Sequence, residues 1–449
     1  MDSKQNKSVW IWLAVILLLS VSVRAGIWSV YPFAHGNDTP TYQHLANSLR
    51  NNLSFERYNG TRTPGYPIFI NLTGNENSLY LVQLGLGVLT TLLVFYISLQ
   101  VSKNTRFSGI MALIHTLNLG QFFFDAAFLT ECLATFLLFI IFAGILFLFN
   151  HQNTNVNQLL HFKTDGISLF IGISAAFLSM SRPLFAFVPF WAALYVLFFW
   201  QQPLKVRIKT IFFAALPALV VLLIWVNYIH TKFNIIGMDS IGGYHLVNHT
   251  SSFFELAPDK YSAIRDTFLK FRAERLASTT SPVNTIWDAI PQLMEQTHLN
   301  YYSLGRTMGE ISKQLILDHP WLYLKNLVLG WWWFWKVGTF WLPESMKNKE
   351  LQSILTNLMN FERMGLFGIN LGFIAISISL LSGKIRRIIQ PNLFVIFTIS
   401  SVWVTSILQT LAEHGDNPRF LAPMQTLVMI IVVKMVMDMI KFPLLSTDK

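Results

Sequence analysis

Apolar residues follow one another in long blocks along this chain, at Val9 to about Val30 and near 78–100, 107–122, 128–149, 166–181, 184–200 and 210–229. After a mixed stretch at 231–363, three more blocks lie at 364–382, 391–411 and 420–440. A helix of roughly twenty apolar residues crosses a hydrocarbon core about 30 Å thick. The pattern therefore predicts an all-α polytopic membrane protein with about ten transmembrane helices, juxtamembrane helices and a large loop region on one side. The first block follows Lys4 and Lys7 and lacks a small-residue cleavage site. It reads as an uncleaved span with a cytoplasmic N-terminus.

Charge in the short loops sets the sides. Lys103 and Arg106, Lys163, and the group Lys205, Arg207 and Lys209 fall where parity puts the cytoplasm. The opposite turns at 123–127 and 181–183 hold one cation, Arg182. The segment 320–342 has a Trp run at 331–335 but also His319, Lys325, Asn326 and Lys336, and reads as interfacial. If it crossed, Lys384, Arg386 and Arg387 would fall outside, against the positive-inside bias. Three regions follow: 1–230, a transmembrane core with a first outer loop at 31–77; 231–363, an outer region; and 364–449, three spans with Lys441 and Lys449 in a cytoplasmic tail. Within the outer region, 258–275 reads as a solvated helix with a mixed charged face, and 300–318 as another helix.

With 53% hydrophobic and only 12% charged residues in 449, an ordinary soluble enzyme is excluded. The net charge of +10 raises the question of nucleic acid. Basic residues of the long outer region are interspersed with acids, and the others fit cytoplasmic-leaflet anchoring, so no nucleic acid partner is expected. The single cysteine, Cys132, excludes an intrachain disulfide and a cysteine zinc cluster.

The informative charges sit at outer span ends, where a membrane protein has least reason to keep them. Asp38 in GNDTPTY precedes a helix with Pro40 near its start, and capping is its structural alternative. Arg62 in RTPGYP stands before a Pro-Gly turn with Tyr66, suited to bidentate phosphate recognition or to simple headgroup contact. Glu131 in FLTECL opens the fourth span, where a helix N-terminus alone would also favour it. Arg182 in MSRPLF and Arg419 in HGDNPRFLAP each match a snorkelling arginine. Taken together, two acids and three arginines from separate outer loops suit a polar cleft that binds an anionic headgroup and activates a hydroxyl. Tyr42, Tyr66 and Asp125 are read as lining it. The histidines are scattered without HExxH or paired-ligand spacing, so no metal site is read from them.

At these residues the chain resembles polytopic glycosyltransferases of the GT-C architecture, especially the family 39-like group of protein mannosyltransferases and lipid A aminoarabinose transferases. The carriers are Asp38 with Tyr42, Ala46 and Leu49, then RTPGYP, Thr130–Glu131, Arg182–Pro183, His319–Pro320 with Tyr323 and Leu324, and Asn417–Pro418–Arg419–Phe420 with Pro423. The first outer loop has one acid where some members have an adjacent pair, and Phe420 stands where a tyrosine is expected. The resemblance implies an inverting transfer of a sugar from a polyprenyl-phosphate carrier to an extracytoplasmic lipid, glycan or protein. Asp38 would be the catalytic acid, with Glu131 supporting acceptor or donor binding. Arg62, Arg182 and Arg419 are the candidates to hold the donor phosphate. No cofactor is required, and a divalent ion between Asp38 and Glu131 stays open because the architecture includes metal-dependent members. The expected setting is a bacterial inner membrane with the site facing outside. A transporter or flippase of a lipid-linked sugar is the rival, although such proteins place charge near mid-membrane and carry internal repeats. A non-enzymatic scaffold with headgroup-binding arginines is the other.

Overall fold

Six helices of this chain begin at an asparagine cap. Asn75, Asn104, Asn118, Asn300, Asn348 and Asn392 each accept a backbone N–H of the first turn through the side chain, satisfying donors that helix geometry leaves unpaired. The computed structural model describes residues 3–446 except 53–54, 56–57, 151–157, 347 and 415–417. Asp416, Asn417 and Lys449 lie outside the described residues.

In chain order the helices are α1 Ser3–Val30, α2 Thr39–Asn52, α3 Gly65–Thr73, α4 Glu76–Ser102, α5 Thr105–Leu117, α6 Leu119–Asp125, α7 Glu131–Asn150, α8 Gln158–Ser181, α9 Val188–Phe199 and α10 Leu204–Phe233. The helices of the long region between spans, α11 Gly242–Thr250, α12 Ser262–Ser278, α13 Thr285–Thr297, α14 Tyr301–Asp318 and α15 Pro320–Phe334, follow. The chain ends with α16 Lys349–Ser379, α17 Gly383–Ile389, α18 Leu393–Ala412 and α19 Gln425–Ser446. Among the described residues there is no strand, only one parallel bridge between Ala34 and Ala127.

This is an integral multi-pass membrane protein. Among the described residues eight helices are long and apolar enough to cross a membrane, or nine if α5 and α6 form one span bent by 59°. The bend falls at Asn118, which caps α6 and breaks the expected span 107–122. Another expected span, 184–200, is a 3-10 turn followed by α9, because Arg182–Pro183 delays the helix. The expected span 364–382 proves to be the second half of α16, a helix of 31 residues. Its amphipathic first half extends into what reads in the sequence as outer loop. The aromatic segment forms α15, whose 15 residues reach only about 22 Å, too short to cross. The two expected outer helices are present as α12 and α14.

At the centre is α7, almost every side chain buried against α4, α8 and the turn leading into α19. Helices α11 to α14 pack around their own core of Tyr244, Phe254, Phe268, Leu293, Leu304 and Ile311.

Candidate functional site

Asp38 immediately precedes α2, and its main-chain carbonyl accepts from Thr41 and Tyr42 to start that helix. Its carboxylate does not cap. One oxygen lies 2.6 Å from Arg62 Nη2 and the other 2.7 Å from Arg419 Nη2, so the side chain joins loops 381 positions apart in the chain. Burial would raise its pKa, but the Arg419 and Arg62 guanidiniums outweigh it and hold Asp38 well below the usual carboxylate range.

Arg62 is placed by the turn that follows it. A Cβ on Gly65 would stand 2.5 Å from the backbone of Met180 and Ser181, so only glycine lets α3 begin directly against the end of α8. That contact brings Arg62 and Arg182 to the same end of the bundle. Tyr58 donates its hydroxyl to the Arg62 carbonyl, Arg62 Nε donates to Thr41 Oγ1 at 2.8 Å, and the Tyr42 ring lies 4.7 Å beneath the guanidinium.

Glu131 opens α7 and is almost wholly buried. Its Oε1 lies 2.8 Å from Arg182 Nη1 and 3.4 Å from Arg419 Nε. Arg419 therefore bridges the two acids. Phe420 supplies a ring face 4.9 Å from Arg182 and 5.9 Å from Arg419, a contact that needs no tyrosine hydroxyl. The cluster is graded in exposure: the Arg182–Glu131 pair is dry, whereas the Asp38, Arg62 and Arg419 side chains are 21–25% exposed. Arg182 Nε and Arg419 Nε are buried without a hydrogen-bond acceptor. Arg419 Nε keeps only its long 3.4 Å ion-pair contact with Glu131, whose Oε1 is likewise without a hydrogen bond of good geometry.

Two expected pocket residues sit elsewhere. Tyr66 is fully buried below Tyr42, rings 5.1 Å apart, and donates its hydroxyl to Gln83 at 2.7 Å. It is a prop under the site. Asp125 turns away from the cleft to Arg24 on α1, 2.8 Å distant, because a cation inside span 1 leaves it the better partner. The first outer loop and the turn before α7 are zipped together: Ala34 N donates to Ala126 O at 2.9 Å, Phe128 N to Ala34 O at 2.8 Å, and Thr39 Oγ1 to Phe128 O at 3.1 Å. These bonds fix Asp38 relative to Glu131.

The sequence reading missed a second polar group. His245 on α11 lies 3.4 Å from Glu413, which follows α18, while Ser240 just before α11 bonds back to Asn59 and Gly60. His249, one turn on, is fully buried with neither ring nitrogen paired, its ring 5.8 Å from His414 and 5.6 Å from Tyr323. The only sequence signal was the i, i+4 spacing of His245 and His249 on one helix face. Burial holds His249 and His414 down to about 4, so both are neutral at pH 7. His245 is raised instead, Glu413 and Asp239 outweighing burial, and its contribution is lost only as pH rises.

For the depressed pair the sign is opposite. Their stabilising share is present above the unfolded value of 6.5 and is lost as pH falls toward about 4. The slope is up to about 1.4 kcal/mol per pH unit for each imidazole. Acidification from pH 6.5 to 4.5 should thus lower the melting temperature and speed hydrogen exchange in α11, and His249→Phe should flatten the profile. A melting temperature independent of pH over that range would refute this.

No family model matches the chain, and no curated protein does. Solved structures do. Over 97% of this chain, an archaeal oligosaccharyltransferase, AglB from Archaeoglobus fulgidus in complex with an inhibitory peptide and a dolichol-phosphate, superposes with a TM-score of 0.53 at 13% identity. An Archaeoglobus fulgidus oligosaccharyltransferase tethered to an acceptor peptide containing the NVT sequon superposes over 96%, with a TM-score of 0.51 and 13% identity. The chain spans about half the length of these structures, 51% and 50%. At this identity the likeness shows the fold, which is that of the GT-C membrane glycosyltransferases.

Proposed function

We propose that the protein transfers a sugar from a polyprenyl-phosphate carrier to a hydroxyl-bearing acceptor on the extracytoplasmic side of the membrane, with inversion, in a bacterial inner membrane. One observation carries this reading: three arginines surround a pair of carboxylates at the end of the membrane bundle. The oligosaccharyltransferase fold, solved in one case with dolichol-phosphate, supports a lipid-linked donor.

A groove of about 700 Å³ beside the site supports it further. Leu49, Ile68, Leu72, Val221, Trp225 and Tyr228 line it, and Pro64 and Met180 join it to the Arg62 and Arg182 turns. Its walls are apolar and Ile68 and Leu72 are exposed, as a path for a lipid chain requires.

The chemistry follows from the charges. The acceptor oxygen attacks the anomeric carbon, the bond from that carbon to the phosphate oxygen breaks, and its electron pair leaves with the lipid phosphate. The acceptor proton goes to Asp38. Arg62, Arg182 and Arg419 stabilise the charge that grows on the phosphate, and Glu131 holds Arg182 and Arg419 in place. Asp38 is a poor base while both its oxygens are ion-paired. An arriving phosphate competes for the same guanidiniums and frees the carboxylate, so donor binding precedes activation of the acceptor.

In this reading the carboxylates serve the arginines and not a divalent ion. Each oxygen of Asp38 already faces a guanidinium, Glu131 Oε1 faces two, and among the described residues no group of three His, Cys, Asp or Glu side chains is arranged to ligate one. Arginine supplies the positive charge in this reading.

The test is donor binding. Arg419→Ala in reconstituted protein should weaken binding of a polyprenyl phosphate about tenfold to a hundredfold, the range for losing a charge-assisted phosphate contact of about 1.5–3 kcal/mol. Equal affinity in the variant would remove Arg419 from the donor site. A transporter would instead move the intact lipid-linked sugar without releasing polyprenyl phosphate.

A further inference from the structure

The Arg24–Asp125 pair is the one buried ion pair among the described residues that the proposed chemistry does not use, and it is placed where a transmembrane protein has least reason to bury charge. Arg24 lies in span α1. Its Nη2 and Nε reach Asp125 Oδ2 at 2.8 and 3.2 Å, and its Nη1 donates to Ser20 at 2.6 Å. Gln121 donates to the other Asp125 oxygen at 3.1 Å. Gly87 on α4 makes the room, since a Cβ there would fall 2.2 Å from Asp125 Oδ2 and 2.4 Å from Arg24 Nε.

Asp125 ends α6, and the five residues after it lead to Glu131. Gln83 on α4 donates to the carbonyls of Asp125 and Ala127, at 3.2 and 2.8 Å, and accepts from Tyr66. The Asp38 loop is zipped to Ala126 and Phe128. Both carboxylates of the site are tied to the turn at 126–130, which Gln83 holds from α4 and which follows directly on Asp125, the residue ion-paired to span α1.

We propose that Arg24 and Asp125 are positioning residues: the pair sets the height of the 126–130 turn and thereby the spacing of Asp38 and Glu131 around the arginines. This rests on the proposed transfer reaction for its consequence, though not for its geometry. A displacement of about 1 Å at a reacting group can lower turnover about a hundredfold.

The test uses the full chain and its only cysteine. Cys132, next to Glu131, is buried and donates its thiol to the Gln83 carbonyl at 3.2 Å. Replacing both charges, Arg24→Met with Asp125→Leu, leaves no unpaired ion, and such swaps in buried pairs are often neutral for stability. The variant should keep its helix content and elution volume and lose kcat about tenfold to a hundredfold with donor KM nearly unchanged. Because Asp125 itself touches the Cys132 thiol, maleimide labelling of Cys132 is read in Arg24→Lys, which leaves Asp125 in place. Native kcat in the double variant would reduce the pair to a structural contact and overturn the proposal. Whether or not the double variant folds, Arg24→Lys, which keeps the charge but loses the two-pronged fork, should label faster than the native protein; a native rate there overturns it too. Labelling needs no turnover, so loosened Cys132 in a protein without transferase activity would discard the proposed reaction and leave the positioning intact.

Discussion

Asp38→Asn should lower sugar transfer about a hundredfold to ten-thousandfold while polyprenyl phosphate binding persists or tightens. The amide keeps the size of the side chain but cannot take the acceptor proton, and loss of a positioned general base has effects of this order. The rise in donor affinity has a separate cause. Asp38 holds Arg62 and Arg419 by contacts of 2.6 and 2.7 Å, and a neutral residue releases both guanidiniums to the phosphate. Transfer assays beside binding measurements on the same reconstituted sample separate the two. Turnover within tenfold of native would move the base to another residue, and weakened donor binding would mean that Asp38 orients the arginines instead of competing for them.

Arg182→Ala is expected to cause the largest loss of stability, about 3–5 kcal/mol, the range for breaking a buried pair at one end. Glu131 is almost fully buried, and without Arg182 its remaining cation is Arg419 Nε at 3.4 Å. The carboxylate would have to stay charged in a dry site or take up a proton. A second substitution distinguishes this from lost packing: Arg182→Ala with Glu131→Gln removes the unpaired charge and should regain most of the melting temperature without regaining transfer. If the single variant melts as the native protein does, the pair is not dry. If the double variant melts no higher than the single one, the loss lies in the Arg182 contact with the Phe420 ring.

The residues that assemble the cleft were visible in the chain because charge at an outer span end is conspicuous against an apolar background. Asp38, Arg62, Glu131, Arg182 and Arg419 are separated by up to 381 positions, yet each stands at the same end of the bundle by parity of crossings alone. Asp125, read as lining the cleft, pairs instead with Arg24. Its partner, Arg24, is one cation within an otherwise apolar block, and nothing local says that α1 and α6 touch there. His245, His249, Glu413 and His414 were missed for a related reason, since contact between α11 and the loop after α18 joins segments with no shared periodicity.

Hydrophobic block length by itself determined the class of this protein and its approximate spans, because the bilayer imposes one thickness on every sequence that crosses it. Tertiary structure alone decided which ions meet. Pairing depends on close approach of backbones, at Gly65 against Ser181 and at Gly87 beside Arg24 and Asp125, and on a few main-chain bonds between residues 34–39 and 126–128. Such contacts act over a few ångströms between residues far apart in the chain, and a linear pattern holds no record of distance.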